Sequence, residues 1–408
     1  MKKCGLLGEK LSHSYSPFIH NMLCDYDYRL FEKAPEDVED FIRSGDFDGI
    51  NVTIPYKKTV SSLCDELSDA AKKLGNVNTV LRLANGRIFG HNTDYYGFAY
   101  TVTDSGISVS GKKAIVLGNG GASGTVCTVL KDLGAAEVIV ISRSGENNYE
   151  NIHRHYDAQI IVNATPVGMY PHNGCRLVDL AEFTRCEGVF DLVYNPAKTA
   201  LLLDAEKLGI PHRNGLAMLV AQAKESAEYF SGTKIEDSLI DKITSKLAAD
   251  MKNIILVGMP GCGKSTLGKA VADMTGRQFI DADENIVERE QMTIPEIFSK
   301  SGEEGFRKAE TEALADICKK SSCVIATGGG CVTRNENYPL LHQNGTIIWI
   351  QREIESLPTD GRPLSQSGNL EKMYEIRRPM YEQFADYIIK NSGDIQDIAD
   401  QILKLIEE

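Results

Sequence analysis

No stretch of this 408-residue chain reaches the roughly 20 consecutive apolar residues of a membrane span. The opening residues, Met1-Lys2-Lys3-Cys4-Gly5-Leu6, also lack the long apolar core of a signal peptide. Both absences point to the cytoplasm. Basic residues are in deficit: 44 Lys and Arg stand against 57 Asp and Glu, a formal net charge of -13. Such a chain has too few clustered cations to neutralise a phosphate backbone, so neither nucleic acid nor a membrane is an expected partner. Its ten cysteines include no Cys-x-x-Cys pair, which fits reduced thiols and argues against a disulfide framework or a structural zinc site. His153 and His155 alternate like residues on a strand or loop face, and no third metal ligand accompanies them. Repeats and low-complexity tracts are absent as well. What is left is a chain too long for one ordinary core, with a prior of about 100 to 200 residues per domain suggesting two or three. Its expected ligands are small molecules held in local basic pockets.

Short apolar strands alternate with helical patterns throughout, the signature of α/β domains with parallel sheets. Two of these strands run straight into glycine-rich loops. Residues 114–117 lead to Gly118-Asn119-Gly120-Gly121-Ala122-Ser123-Gly124, and 254–257 lead to Gly258-Met-Pro-Gly261-Cys262-Gly263-Lys264-Ser265-Thr266. The first loop has the glycines that let backbone approach a pyrophosphate at a helix N-terminus, as a dinucleotide requires. After the next strand, 138–141, come Ser142, Arg143 and Ser144; a cation where an NAD site would place an acid favours the 2′-phosphate of NADP. The second loop is GxxxxGK[ST], in which Lys264 would bridge β- and γ-phosphates and Ser265 would ligate magnesium. A charged helical pattern over 235–250 closes the first half, and a new strand follows it.

In the first half, Ser12-His-Ser14-Tyr-Ser16-Pro17, Asn51-Val-Thr53-Ile-Pro-Tyr-Lys57, Gly75-Asn-Val-Asn78-Thr79 and His91-Asn-Thr-Asp94 occur in order. They are followed by Asn163-Ala-Thr165-Pro-Val-Gly-Met169, Asp191-Leu192-Val-Tyr194-Asn-Pro196 and Gly215-Leu-Ala-Met-Leu-Val-Ala-Gln222. These segments resemble the shikimate dehydrogenase family across the whole first half. The resemblance implies reversible, NADPH-dependent reduction of the 3-dehydroshikimate ketone to shikimate. Hydride arriving at a carbonyl carbon leaves negative charge on oxygen, so a proton donor must stand beside it; Lys57 is the candidate, oriented by Asp94. Ser14, Ser16, Thr53, Asn78 and Gln222 suit a hydroxyl-rich carboxylate. By resemblance, Ser14 and Ser16 hold the carboxylate, Asn78, Asp94 and Gln222 hold ring hydroxyls, and Tyr194 joins the substrate set. Thr165, Leu192 and Gly215 join the NADP set. Two departures stand out. The stretch 145–157 is short and polar, which predicts one helix fewer, and the basic residue expected beyond Arg143 is missing, which leaves dual NADP/NAD use open.

In the second half, Val324-Ile-Ala-Thr327 runs into Gly328-Gly329-Gly330 instead of the metal-binding aspartate of a mechanical NTPase. A triple glycine lets backbone approach a small acceptor. With Asp281-Ala-Asp283, Glu304-Gly-Phe-Arg307, Gly361-Arg362-Pro-Leu and Arg377-Arg-Pro-Met-Tyr381, the segment looks like shikimate kinase. The resemblance implies ATP- and magnesium-dependent phosphorylation of shikimate to shikimate 3-phosphate. In that likeness Asp281 assists Ser265 at the metal and Asp283 takes the acceptor hydroxyl. Arg307 and Arg377 clamp a carboxylate with planar forks, and Arg362 sits on a lid over the phosphoryl group. The chain from 349 to 362 is shorter than usual, and the basic residue that should precede the lid has no counterpart.

The expected architecture is therefore α/β: a two-lobed dehydrogenase over 1–249 with a Rossmann-like NADP lobe, then a kinase over 250–408 of nucleoside-monophosphate-kinase type around a central parallel sheet. The first part divides into a substrate lobe, 1–100 with 216–249, and a nucleotide lobe, 101–215. Two alternatives stay open: a dehydrogenase of quinate or a related polyol, and a kinase fold reduced to sensing ATP or shikimate. Oligomeric state is open between monomer and weak dimer.

Overall fold

Runs that are apolar at nearly every position become strands covered on both faces. Ile160–Asn163, Gly188–Asp191 and Asn253–Val257 are buried at every residue. In the computed structural model, which describes residues 1–11, 14–357 and 370–407, such strands build three sheets distributed over two units.

The first unit comprises Met1–Gly168, Gly174–Tyr194 and Asp204–Lys246. One of its sheets is mixed, with strands Asp27–Glu32, Lys3–Gly8, Gly49–Val52, Thr79–Arg82, Ile88–His91 and Glu66–Leu67 side by side in that order. Leu7, Ile50, Val52, Val60 and Val80 form its core. Helix Leu216–Ser231 packs against Asp94–Asp104 and Ser16–Leu23. Gly97 permits the approach, since a Cβ there would lie 2.7 Å from the Met218 carbonyl oxygen and 3.0 Å from Gln222 Cβ. Helix Asp94–Asp104 runs through residue 100, the expected lobe limit.

The other sheet of this unit is fully parallel, in the order His212–Arg213, Gly188–Asp191, Ile160–Asn163, Lys113–Leu117, Glu137–Ile141. Strand Lys113–Leu117 has its chain successor on one side and the next strand on the other, so the order reverses beside it. Ligands in open α/β sheets bind at such a switch point, outside the carboxyl ends of the strands. Between Glu137–Ile141 and Ile160–Asn163 the chain makes no α-helix, only a 3-10 turn at Ile152–His155, as the short polar stretch predicts. Asn148 and Asn151 tie that stretch to itself: the Asn148 amide donates to Asn151 Oδ1 at 2.9 Å and Asn151 Nδ2 donates to the Glu146 carbonyl at 2.8 Å. His153 and His155 thus lie in a turn, not along a strand face, and His155 Nε2 is 3.0 Å from Asn147 Oδ1.

The second unit comprises Leu247–Glu408 together with Met169–Asn173 and Asn195–Leu203. Its sheet is parallel, in the order Gln278–Asp281, Cys323–Ala326, Asn253–Val257, Gly345–Gln351, Tyr387–Lys390. Leu256, Val271, Ile325, Ile348, Trp349 and Phe384 are buried around it. The two short segments are bound into this unit by hydrogen bonds. Tyr170 donates its hydroxyl to the Cys318 carbonyl at 2.9 Å, Asn173 Nδ2 donates to Gln343 Oε1 at 2.8 Å, and Lys198 Nζ donates to His342 Nε2 at 2.8 Å. Among the described residues no helix is long and apolar enough to cross a membrane.

Candidate active sites

Lys57 opens helix Lys57–Leu63 and Asp94 opens helix Asp94–Asp104. Their side chains meet, Lys57 Nζ 2.5 Å from Asp94 Oδ2, both partly shielded from water. Asn78 Nδ2 donates to Asp94 Oδ1 at 2.9 Å, and Asn92 Oδ1 accepts from the Asp94 amide at 3.0 Å. The carboxylate is therefore fixed at both oxygens before any ligand arrives. Gln222 reaches the same cluster, its Oε1 accepting from the Thr93 hydroxyl at 3.4 Å. Beneath it lies a buried polar layer: Asn51 Nδ2 donates to Ser226 Oγ at 2.7 Å, Asn51 Oδ1 accepts from Tyr28 at 2.8 Å, and Ser226 Oγ is 3.2 Å from Thr93 Oγ1.

Ser14 Oγ accepts from the Ser16 amide at 3.2 Å, at the start of helix Ser16–Leu23. The Tyr15 ring meets Tyr194 edge-on, with centroids 6.3 Å apart, and burial pushes the Tyr194 phenol pKa up. Thr53 follows strand Gly49–Val52, its amide donating to the Leu7 carbonyl at 2.9 Å. Lys57, Asn78, Asp94 and Gln222 are thus joined by direct hydrogen bonds or through Thr93. Ser14 and Ser16 form a second group, next to Tyr15 and Tyr194.

Gly118, Thr165, Leu192 and Gly215 each follow the carboxyl end of a strand of the parallel sheet. Gly118 has φ +101°, and a Cβ there would lie 2.5 Å from Thr165 Cγ2; one at Gly215 would collide with the Leu192 carbonyl. Residues 119–122 then lead into helix Ser123–Asp132. Ser142 is buried and takes up the turn, its amide donating to the Asn147 carbonyl at 3.1 Å, while Arg143 and Ser144 follow the adjacent strand end with Arg143 exposed. Gly118→Ala is expected to raise the KM for NADPH about tenfold or more, because the positive φ and the Thr165 contact both force the loop to shift, at a cost of order 1–3 kcal/mol. Steady-state kinetics at varied NADPH measure this.

In the second unit Gly258, Gly261 and Gly263 all take positive φ as the loop wraps toward helix Lys264–Thr275. Lys264 Nζ donates to the carbonyls of Gly258 at 2.9 Å and Met259 at 3.1 Å. Ser265 donates to Asp281 Oδ2 at 2.6 Å, and Asp281 Oδ1 accepts the Asp283 amide at 3.0 Å. The two expected metal-binding residues are therefore in direct contact. Cys262 is buried and contributes its carbonyl, which accepts from Asn391 Nδ2 at 2.7 Å.

The glycines at 328–330 sit where other groups crowd the backbone. A Cβ at Gly328 would meet Glu310 Oε1, and would come 2.9 Å from Asp283 Oδ1; one at Gly329 would lie 2.6 Å from Pro260 Cδ, and one at Gly330 would strike the Arg307 guanidinium. Arg307 Nη1 donates to Glu310 Oε2 at 2.7 Å and Arg377 Nη1 donates to the Gly329 carbonyl at 3.2 Å. Burial opposes the Arg307 charge, but Glu310 and Glu303 more than offset this and hold its pKa up. Burial likewise pushes the Glu310 carboxyl pKa up against the pull of Arg307. Asp283, Arg307, Glu310, Arg377 and the three glycines, with Lys264, Ser265 and Thr266, line one cavity of about 570 Å³. Arg362 lies outside the described residues.

Sequence reasoning missed Glu310, Tyr381 and Asn391 as parts of this site. Glu310 is Arg307's i,i+3 partner on one helix, a spacing readable in retrospect. Tyr381, fully buried, donates to the Gly329 carbonyl at 2.5 Å.

The two sites define an α/β dehydrogenase joined to a P-loop kinase. The family model described as shikimate dehydrogenase substrate binding domain matches residues 6–80, and that of shikimate kinase matches 260–407. A shikimate dehydrogenase (NADP(+)) of Clostridium beijerinckii is 35% identical over 272 residues, covering 62% of this chain and all of that protein. The crystal structure of shikimate dehydrogenase 1 from Peptoclostridium difficile is 37% identical, with a TM-score of 0.56 over 60% of this chain and 98% of its own. A chorismate mutase/shikimate 5-dehydrogenase fusion from Clostridium acetobutylicum is 34% identical, with a TM-score of 0.58 over 60% and 97%. The chain belongs to the shikimate dehydrogenase family and carries a shikimate kinase domain at its C-terminal side. It is a bifunctional enzyme of the shikimate pathway that uses NADP in one half and ATP with Mg2+ in the other. Nothing favours a kinase fold reduced to a sensor.

Proposed function

We propose that residues 1–249 reduce the ketone of 3-dehydroshikimate to the hydroxyl of shikimate, and that residues 250–408 phosphorylate that product to shikimate 3-phosphate, in the cytoplasm. The observation that carries the reading is the meeting of Lys264, Asp283, Arg307 and Arg377 in one cavity: a phosphate cation, a carboxylate for a hydroxyl, and two planar cations for a second carboxylate.

The residues fit the groups the reaction needs. A Cβ at Gly120 or Gly121 would meet nothing within 4 Å, which leaves backbone open to a pyrophosphate, and the Ser265–Asp281 pair offers oxygen donors of the kind magnesium prefers. Bound NADPH supplies a hydride, and bound ATP with its metal supplies a phosphoryl group. Lys57 gives its proton to the ketone oxygen as charge develops there, and Asp94 holds the ammonium in line. Ser14 and Ser16 take the carboxylate, with Thr53, Tyr194, Asn78 and Gln222 around the ring. Gly118 to Ala122, Ser142 to Ser144, Thr165, Leu192 and Gly215 form the dinucleotide site. In the kinase half Asp283 accepts the proton of the attacking hydroxyl, and Arg307 and Arg377 bind the carboxylate beside Gly328, Gly329 and Gly330. The loop Gly261 to Thr266 cradles phosphates. Arg362 is assigned from the sequence as the cation over the transferring group.

A one-pot time course from 3-dehydroshikimate with NADPH and ATP tests both halves. Shikimate 3-phosphate and ADP are expected, with one NADPH oxidised per product. Accumulation of shikimate without ADP would remove the kinase reading, and a preference for quinate with NAD in the reverse assay would remove the dehydrogenase reading.

A further inference from the structure

We propose that Arg352 is a nucleotide-binding residue of the kinase unit, one that holds the nucleoside polyphosphate and not the acceptor. The proposal rests on the kinase reading above.

Backbone geometry puts Arg352 beside the phosphate loop. Strand Gly345–Gln351 pairs with the strand that feeds the loop, Trp349 opposite Val257. Beyond that pair the contact tightens: a Cβ at Gly258 would lie 2.5 Å from the Ile350 carbonyl oxygen. The Gln351 carbonyl then accepts the Asn391 amide at 2.7 Å, and Asn391 Nδ2 donates to the Cys262 carbonyl at 2.7 Å. Arg352 is the next residue, and it lines the same cavity as Gly261, Gly263 and Lys264.

Charge separates it from the other cations there. Arg307 is committed to Glu310 and Glu303, Arg377 to the Gly329 carbonyl, and Lys264 to two carbonyls of its own loop. Arg352 is exposed and, among the described residues, makes no hydrogen bond or ion pair, although Glu353 and Glu355 are its sequence neighbours. From 353 to 361 the chain has no lysine or arginine, only acids and neutral residues. The basic residue that the sequence lacks before the lid thus has a stand-in several positions earlier, at the strand end. An unpaired planar guanidinium at the mouth of a phosphate loop is suited to a phosphate edge or the face of a base, and the carboxylate end of the cavity already has its own two arginines.

Titration calorimetry of the full-length enzyme with MgADP, and separately with shikimate, tests the assignment. Arg352→Ala is expected to weaken MgADP about tenfold, the scale of one charge-assisted contact, with shikimate affinity held within about twofold. Arg352→Lys is expected to fall in between, because an ammonium keeps the charge but loses the fork. An unfolding transition at the wild-type midpoint shows that the kinase unit of both variants is folded. If the wild type binds no MgADP, the kinase reading itself fails. If the wild type binds and Arg352→Ala binds equally well, or loses shikimate to the same degree, only the Arg352 assignment fails.

Discussion

Lys264→Ala is expected to lower kcat for phosphorylation of supplied shikimate by about 10³-fold, the upper range for removing one preorganised stabiliser of developing charge, while NADPH-dependent reduction proceeds at the wild-type rate. The lysine is buried under its own loop and bonded to the carbonyls of Gly258 and Met259. Alanine removes the cation and its bonds to both carbonyls, of which that of Met259 keeps the Cys262 amide as a donor at 3.2 Å. The loss should fall on kcat more than on the KM for shikimate, because the acceptor is held by other residues. A coupled ADP-release assay reads the first quantity and a shikimate titration the second. Equal loss of the redox activity in a folded variant would overturn the assignment of separate sites.

The reciprocal change, Lys57→Ala, is expected to reduce 3-dehydroshikimate turnover by roughly 10²–10⁴-fold, the range for loss of a positioned proton donor, with kinase activity intact. Asp94 still accepts from Asn78, and its amide still donates to Asn92, in that variant, so the substrate cluster stays assembled and the KM for 3-dehydroshikimate should change far less than kcat. Lys57→Arg is the sharper comparison: it preserves a cation near Asp94, but its pKa is too high for efficient proton release at neutral pH. Activity near wild type in Lys57→Arg would show that charge alone suffices and would remove the proton-donor role.

Both phosphate loops were legible in the sequence because short apolar strands and glycines at fixed offsets are local signals, and local signals survive without a structure. Lys57 and Asp94 are different. They stand 37 residues apart, and no spacing rule pairs them; the resemblance brought them together on paper, and two helix starts bring them together in space. The layer under them, Asn51 with Ser226 across 175 residues, had no signal beyond a polar residue in an apolar run. Asn391 was likewise silent, since its bond to Cys262 spans 129 residues and depends on which strands are neighbours. Arg352 was passed over because an isolated arginine in a charged stretch reads as surface. The absent helix after residue 145 was legible because the stretch is short beside the family it resembles and mostly polar, with Ile152 its one buried aliphatic side chain, too little of an apolar face for a helix to dock.

Met169–Asn173 and Asn195–Leu203 come from the first half of the sequence but are counted with the second unit. A gene severed between the codons for 249 and 250 would therefore yield a kinase fragment stripped of Tyr170, Asn173 and Lys198. The Cys318 carbonyl, Gln343 and His342 would then turn to water for partners. The two halves follow one another in the sequence, yet the seam that a cloner would need to respect is not linear.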